Sequence, residues 1–252
     1  MNPPTHHQPD MTTPGTTNPL IIGLTGPAGS GKDTVAGILQ THCNAAVLAF
    51  ADALRNEIVD AYCIEHTVLT RRETKELAHP ALALSRCTDG AFVDRMAVHH
   101  MAGMPDGGMA GERIDLAAHR SPRQIMQWWG TEYRRRQDPN YWVSKARQTV
   151  HWTLKTLRAS AIVLTDVRFD NEAELVRSLG GEIWQVKRPG CDVASGAHTS
   201  EVTGAAFAPS VVINNCFDVR HLQGVVLSAW AERAWGLPGV QVEVQPTTTT
   251  PA

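Results

Sequence analysis

The chain has 252 residues, 42% of them hydrophobic and 19% charged, with a formal net charge of −2. That length suits one sizeable α/β domain with a flap or small subdomain, and so small a charge gives no global pull toward nucleic acid or an anionic membrane. Five cysteines (Cys43, Cys63, Cys87, Cys191, Cys216) are odd in number and never spaced C-x-x-C, which argues for reduced thiols in a reducing cytosol over a disulfide framework or a zinc site.

The opening stretch "MNPPTHHQPDMTTPGTTNP" lacks the basic start and apolar core of a secretory signal and reads as a disordered tail over 1–19; "VQPTTTTPA" reads likewise over 245–252. No segment approaches the roughly 18 apolar residues that span a bilayer. The folded part is expected over 20–244.

The first strand, "LIIGLTG" from Leu20, runs into "PAGSGKDT" and then a helix. Gly26-Pro-Ala-Gly29-Ser30-Gly31-Lys32 satisfies G-x-x-x-x-G-K in the strand–loop–helix setting of a phosphate-binding loop. Its glycines let backbone N–H groups turn inward around phosphate oxygens, and the helix N-terminus adds its positive end. Lys32 can reach the β and γ phosphates. Asp33 stands where such loops usually carry a hydroxyl, and Thr34 follows it. Either Asp33 holds Mg²⁺ directly or through water, with Thr34 supplying the hydroxyl, or it caps the helix dipole. Gly26, Gly29, Ser30, Gly31, Lys32, Asp33 and Thr34 are the candidate donor-phosphate and metal residues.

In the following helix Val35, Ile38, Leu39 and His42 share a face, and "AAVLAFA" from Ala45 reads as the second strand. The long interval before the third strand reads as helix from Asp52 to about Leu77 and from Ser121 to about Leu157, a helical insertion over about 53–158. Its middle, "DGAFVDRMAVHHMAGMPDGGMAGERID", has no clear period and is either a mobile substrate flap or a variable surface loop. His99-His100 has no third ligand at helical spacing and is taken as solvent-exposed. In "SPRQIMQWWGTEYRRRQDPNYWV", Arg123 and Gln127 lie four apart on one helical face. Arg123 suits a phosphate clamp, and Gln127 can read a base edge with its paired donor and acceptor. Trp142 offers a flat surface for base or sugar. Trp128 and Trp129 suit core packing, and Arg134, Arg135 and Arg136 form a solvated run from which one can reach phosphate.

The third strand, "AIVLTD", ends on Asp166 as a Walker B acid would; Arg168 follows, and Asn171 and Glu172 begin a helix that turns Leu175, Val176 and Leu179 inward. "EIWQVKR" and "VVINN" are the fourth and fifth strands, and a closing helix from Asp218 carries Val219, Leu222, Val226 and Trp230 inward. Alternation of strand and helix implies a parallel sheet covered on both faces.

"SGKDT" together with "PRQIMQWWGTEYRRRQDPNYWV", "IVLTDVRFDNEAELVRSLGGEIWQVKRPG" and "HTSEVTGAAF" resembles the bacteriophage deoxynucleoside monophosphate kinases, a branch of the P-loop nucleoside monophosphate kinases. The resemblance covers most of Leu20 to Leu222, is weak from about Ser85 to Ala118, and is absent in both tails. It implies the three-layer α/β fold of P-loop NTPases with a five-stranded parallel sheet and a helical substrate insertion. It also implies ATP and Mg²⁺, with Asp166 and Arg168 at the monophosphate site, joined by Glu172. Gly130, Thr131 and Trp142 fall at the substrate site by the same resemblance. Arg55 matches a basic residue after the second strand, and Arg72 in "RETKE" matches an element that binds the monophosphate. Arg188 is the candidate lid arginine over ATP, before "CDVASGAHTSE", which is much shorter than the lid of long adenylate kinases. His198 beside Ser200 and Glu201 reads as an ordered loop and helix cap more than as a ligand set.

The expected reaction is transfer of the γ phosphate of ATP to a deoxynucleoside monophosphate, supplying diphosphates for phage DNA synthesis. Lys32, Asp33, Asp166 and Arg168 are the catalytic candidates, and no covalent intermediate is needed. The alternatives are a kinase of another phosphorylated acceptor, of the phosphomevalonate or dephospho-coenzyme A type, and a non-catalytic nucleotide-binding module. Expected partners are small nucleotides, with no nucleic acid and no membrane; a homodimer stays open. The expected location is the cytosol, that of the host for a phage protein.

Overall fold

All five apolar runs are strands: β1 Leu20–Thr25, β2 Ala45–Ala49, β3 Ala161–Thr165, β4 Glu182–Lys187 and β5 Val211–Asn214. Every pairing is parallel and the order is β2-β3-β1-β4-β5. A computed structural model describes residues 19–102, 114–190 and 208–236. Most of both tails, the stretch 103–113, the side chains of His99 and His100, and the segment holding Cys191, His198, Ser200 and Glu201 lie outside the described residues.

Side chains alternate across the pleat, so each strand feeds two cores. Ile22, Leu24, Val163, Trp184 and Val186 face helices α1 (Lys32–His42) and α8 (Val219–Trp235). Ile21, Ile162, Leu164 and Ile183 face α6 (Tyr141–Thr156) and α7 (Asp170–Ser178). Both faces are covered, which is why the strands read as unbroken apolar runs. The result is the three-layer α/β arrangement expected from the sequence. Among the described residues no helix is long and apolar enough to cross a membrane.

The connections place the functional loops. The chain leaves β1 through α1 and passes over β3 to reach β2, and leaves β3 through α7 and passes over β1 to reach β4. Adjacent strands whose connections diverge open a crevice at their carboxyl ends. Here the crevice lies between the loop after β1 and the turn after β3, and the Val167 N–H donates across it to the Leu24 carbonyl at 2.9 Å.

Several expected elements differ. The helix expected from Asp52 to Leu77 is α2, Phe50–Tyr62, capped where Asp52 Oδ2 accepts from the Ala49 N–H at 2.9 Å. It ends at Cys63 in the left-handed region, φ 50°, and only the single turn α3, Thr67–Thr70, follows before Pro80. The helix expected from Ser121 to Leu157 divides into α5 (Pro122–Gln127), a π-helical segment (Trp128–Arg135) and α6, with Pro139 in the break. The supposedly aperiodic stretch contains α4, Gly90–Ala102. Phe92 and Met96, four apart, insert beside Trp129 and Tyr133 in a third core. Val219, expected to face inward, is 63% exposed at the first position of α8, and His42 is exposed at the last turn of α1.

Candidate functional site

The loop after β1 bends where only glycine fits. Gly26 has φ 142°, and a Cβ there would sit 2.3 Å from the Val186 carbonyl oxygen. Gly31 has φ 104°, with Asn215 Nδ2 2.5 Å from where a Cβ would be. Asn215, at the end of β5, donates that amide to the Ser30 carbonyl at 2.9 Å and its backbone N–H to Lys187 at 2.7 Å. The fifth strand thus clamps the loop.

Lys32 folds over this loop, donating to the Gly26 and Pro27 carbonyls at 2.9 Å each. Its Nζ lies 3.8 Å from Asp166 Oδ1. Burial lowers the Lys32 pKa, and the Asp166 carboxylate opposes that shift. Asp33 and Thr34 are both exposed on the first turn of α1.

Asp166 is a non-glycine residue at φ 59°, a conformation that persists where surrounding bonds over-determine it. Val167 is tied to Leu24, as above. The Arg168 and Phe169 N–H groups donate to Glu172 Oε2 at 2.8 and 3.3 Å. Glu172 is buried and its other oxygen pairs with Arg135, whose guanidinium lies 3.7 Å over the Phe169 ring. Burial raises the Glu172 pKa, with Arg135 as the main opposing influence. Asp166 Oδ1 also lies 3.5 Å from Arg168 Nη2.

These groups border one cleft of about 920 Å³ including its open mouth. The wall from α2 contributes Arg55, α5 contributes Arg123 and Gln127, the π-helical segment contributes Gly130 and Thr131, and α6 contributes Trp142. The floor carries Asp166, Arg168 and Glu172. Nine of the ten candidate acceptor residues therefore converge. Arg72 does not; it is exposed outside the cleft, and Lys75 lines the cleft instead. Arg188 is exposed just past β4 and is not part of the cleft wall.

Three side chains, Trp142, Arg134 and Arg135, have environments other than expected. Trp142 is only 4% exposed, and its Nε1 donates to the Gly130 carbonyl at 3.1 Å, so it builds the wall more than it offers an open face. Of the arginine run, only Arg136 is solvated. Arg135 supports the Asp166–Arg168 turn, and Arg134 donates to Glu57 at 2.9 Å over the Tyr133 and Tyr141 rings. Glu57 also accepts from Trp129 Nε1 at 2.9 Å and from Tyr141, tying α2 to the π-helical segment and α6. Lys75, Asn215, Glu57 and Phe169 were not read as functional from sequence; of these only Asn215, at a strand end in "VVINN", carries a local signal.

Among the described residues no three His, Cys, Asp or Glu side chains converge as a metal cage. An ion beside the loop would be held by one or two protein oxygens with phosphate and water, the pattern Mg²⁺ takes. Asp33 and Thr34 supply oxygen donors of that kind.

No protein-family model matches the chain. A curated relative from Acanthamoeba polyphaga mimivirus, described as "Putative deoxynucleotide monophosphate kinase", is 27% identical over 184 residues, which is 73% of this chain and 81% of that protein. A solved structure described as that of TT1252 from Thermus thermophilus superposes with a TM-score of 0.42 at 19% identity, covering 86% of this chain and 98% of that one.

Proposed function

We propose that the protein is a nucleoside-phosphate kinase that moves the γ phosphate of ATP to a deoxynucleoside monophosphate. One observation carries the reading: the phosphate-loop lysine and an arginine-lined cleft meet at a single carboxylate, with Asp166 Oδ1 3.8 Å from Lys32 Nζ and 3.5 Å from Arg168 Nη2. The name of the mimivirus relative supports it. A protein that only grips ATP needs no second anion site beside the loop, so the arginines favour transfer over sensing.

The donor triphosphate lies in the loop, where inward N–H groups and Lys32 hold the β and γ oxygens. Lys32 exchanges its carbonyl partners on Gly26 and Pro27 for phosphate oxygens. The acceptor phosphate lies in the cleft among Arg55, Arg123 and Arg168. One of its oxygens forms a bond to the γ phosphorus as the bond from that phosphorus to the β-bridging oxygen breaks, and ADP leaves with the electron pair. The attacking oxygen is already anionic, so no general base is required. Mg²⁺, held at Asp33 and Thr34, would offset charge on the β and γ oxygens. Arg168 neutralises charge on the transferring group, and Glu172, braced by Arg135, holds the turn that aims it. Gln127 presents an amide to the cleft, which suits a nucleobase better than a mevalonate-type chain.

The catalytic unit is taken as residues 20–244 with its helical insertion, working in the cytosol on small nucleotides. A coupled assay of ADP release, run with each common nucleoside monophosphate in deoxy and ribo form, tests the proposal. Release stimulated by a deoxynucleoside monophosphate is expected; release indifferent to every monophosphate would refute it.

A further inference from the structure

The cations of the cleft are not equivalent. Arg55 Nη1 lies 2.9 Å from Asp52 Oδ1, Arg123 pairs with Glu76, and Arg168 lies 3.5 Å from Asp166. Each of these arginines therefore has a carboxylate within ion-pair distance, Asp166 being shared with Lys32. Lys75 lines the same cleft, and among the described residues no carboxylate lies within ion-pair distance of its ammonium group. Its place is fixed by the backbone, because the Lys75 carbonyl accepts from the Arg123 N–H at 3.0 Å at the start of α5.

That environment disfavours the charge. Burial, then Arg123 from α5, Arg168 from the turn after β3 and Arg55 from α2 hold the Lys75 pKa below its ordinary value, and only Asp166 opposes them. A half-buried ammonium among guanidiniums costs stability in the empty protein, and a ligand that brings the missing negative charge repays it.

We infer that Lys75 is a direct ligand of the acceptor's terminal phosphate, completing a cage with Arg55, Arg123 and Arg168 for a phosphomonoester dianion. This rests on the kinase reading of the cleft and deepens it: the resemblance pointed to Arg72 for that contact, and the fold brings Lys75 to the cleft. A phosphodiester, with one negative charge and two non-bridging oxygens where the monoester has three, leaves the cage under-neutralised.

The test is Lys75→Met, which keeps most of the stem and removes the charge, with Lys75→Arg beside it. Without ligand, Lys75→Met should melt at a temperature equal to or a few degrees above wild type, since an unpaired charge has been removed. Its KM for a deoxynucleoside monophosphate should rise roughly 10–100-fold, the scale of one charge-assisted hydrogen bond, while its KM for ATP stays within about twofold. The thermal upshift that the monophosphate gives wild type should shrink in Lys75→Met and largely return in Lys75→Arg. A deoxynucleoside without phosphate should act alike on wild type and variant.

An unchanged acceptor KM in Lys75→Met, while wild type phosphorylates a monophosphate, overturns the Lys75 assignment and leaves the kinase reading standing. So does a fall in the ligand-free melting temperature with both KM values raised together, which marks a structural lysine. A larger acceptor defect in Arg72→Ala than in Lys75→Met also overturns it. A wild-type protein that neither binds nor phosphorylates any monophosphate removes the kinase reading and this inference with it.

Discussion

Asp166 Oδ1 stands between two cations, 3.8 Å from Lys32 Nζ and 3.5 Å from Arg168 Nη2. Lys32 follows the glycine-rich loop after β1 and Arg168 belongs to the turn after β3, so this oxygen lies where the proposed donor and acceptor sites join. It keeps two like charges close in the ligand-free protein and leaves both able to turn toward phosphate.

Lys32→Met should abolish transfer and leave the fold intact, because the apolar stem survives while the charge does not. The expected loss in rate is on the order of 10²–10³, the scale for removing one preorganised electrostatic contact. Near-normal turnover by a folded variant would remove the loop from the chemistry.

Arg168→Lys should be nearly as damaging as Arg168→Ala. A guanidinium engages two phosphate oxygens in a fixed plane, whereas an ammonium offers one point charge on a flexible stem. The defect should appear with the acceptor, as lower kcat or higher acceptor KM, with ATP affinity little changed. Collapse of ATP binding with the acceptor unaffected would assign Arg168 to the donor.

The five strands and the glycine-rich loop between β1 and α1 were legible because each is local. Runs such as Ile21-Ile22 and Ile162-Val163-Leu164 are buried on both faces of a parallel sheet, and the loop depends on a few consecutive residues. Arg123 and Gln127 were legible from helical spacing alone. Lys75 was not, because the chain between Tyr62 and Pro80 is mostly turns, where a spacing of three does not tell which residue faces inward. Arg135 read as solvated since its partner Glu172 is distant in sequence and meets it only through tertiary packing. Helix α4 was hidden because Ala, Met and His give weak contrast between its faces.

Arg135→Met should cost about 3–5 kcal/mol of stability near neutral pH, since it leaves the Glu172 carboxylate buried without its counter-charge. Burial already raises the Glu172 pKa, and losing Arg135 raises it further. The folded variant then binds a proton more readily than the unfolded chain, so stability is greater on the acid side and is lost as pH rises through the folded-state pKa. Urea unfolding at mildly acidic and neutral pH should show the penalty shrinking at the lower pH. A penalty independent of pH would mean that Arg135 acts by packing on Phe169 alone.

Asp33→Asn should shift the metal requirement in particular. Activity measured against Mg²⁺ concentration at fixed ATP should show a higher midpoint, because an amide oxygen is a weaker ligand than a carboxylate for a hard cation. An unchanged midpoint with slightly lower thermal stability would return Asp33 to the role of a helix cap.

The most direct measurement is the fate of the phosphoryl group. The protein is incubated with γ-labelled ATP, Mg²⁺ and each deoxynucleoside monophosphate in turn, and the labelled products are separated. The predicted result is label in the β position of a deoxynucleoside diphosphate, formed in step with ADP and lost in both Lys32→Met and Arg168→Ala. Label found only as inorganic phosphate, or retained in ATP with every acceptor, would contradict the account.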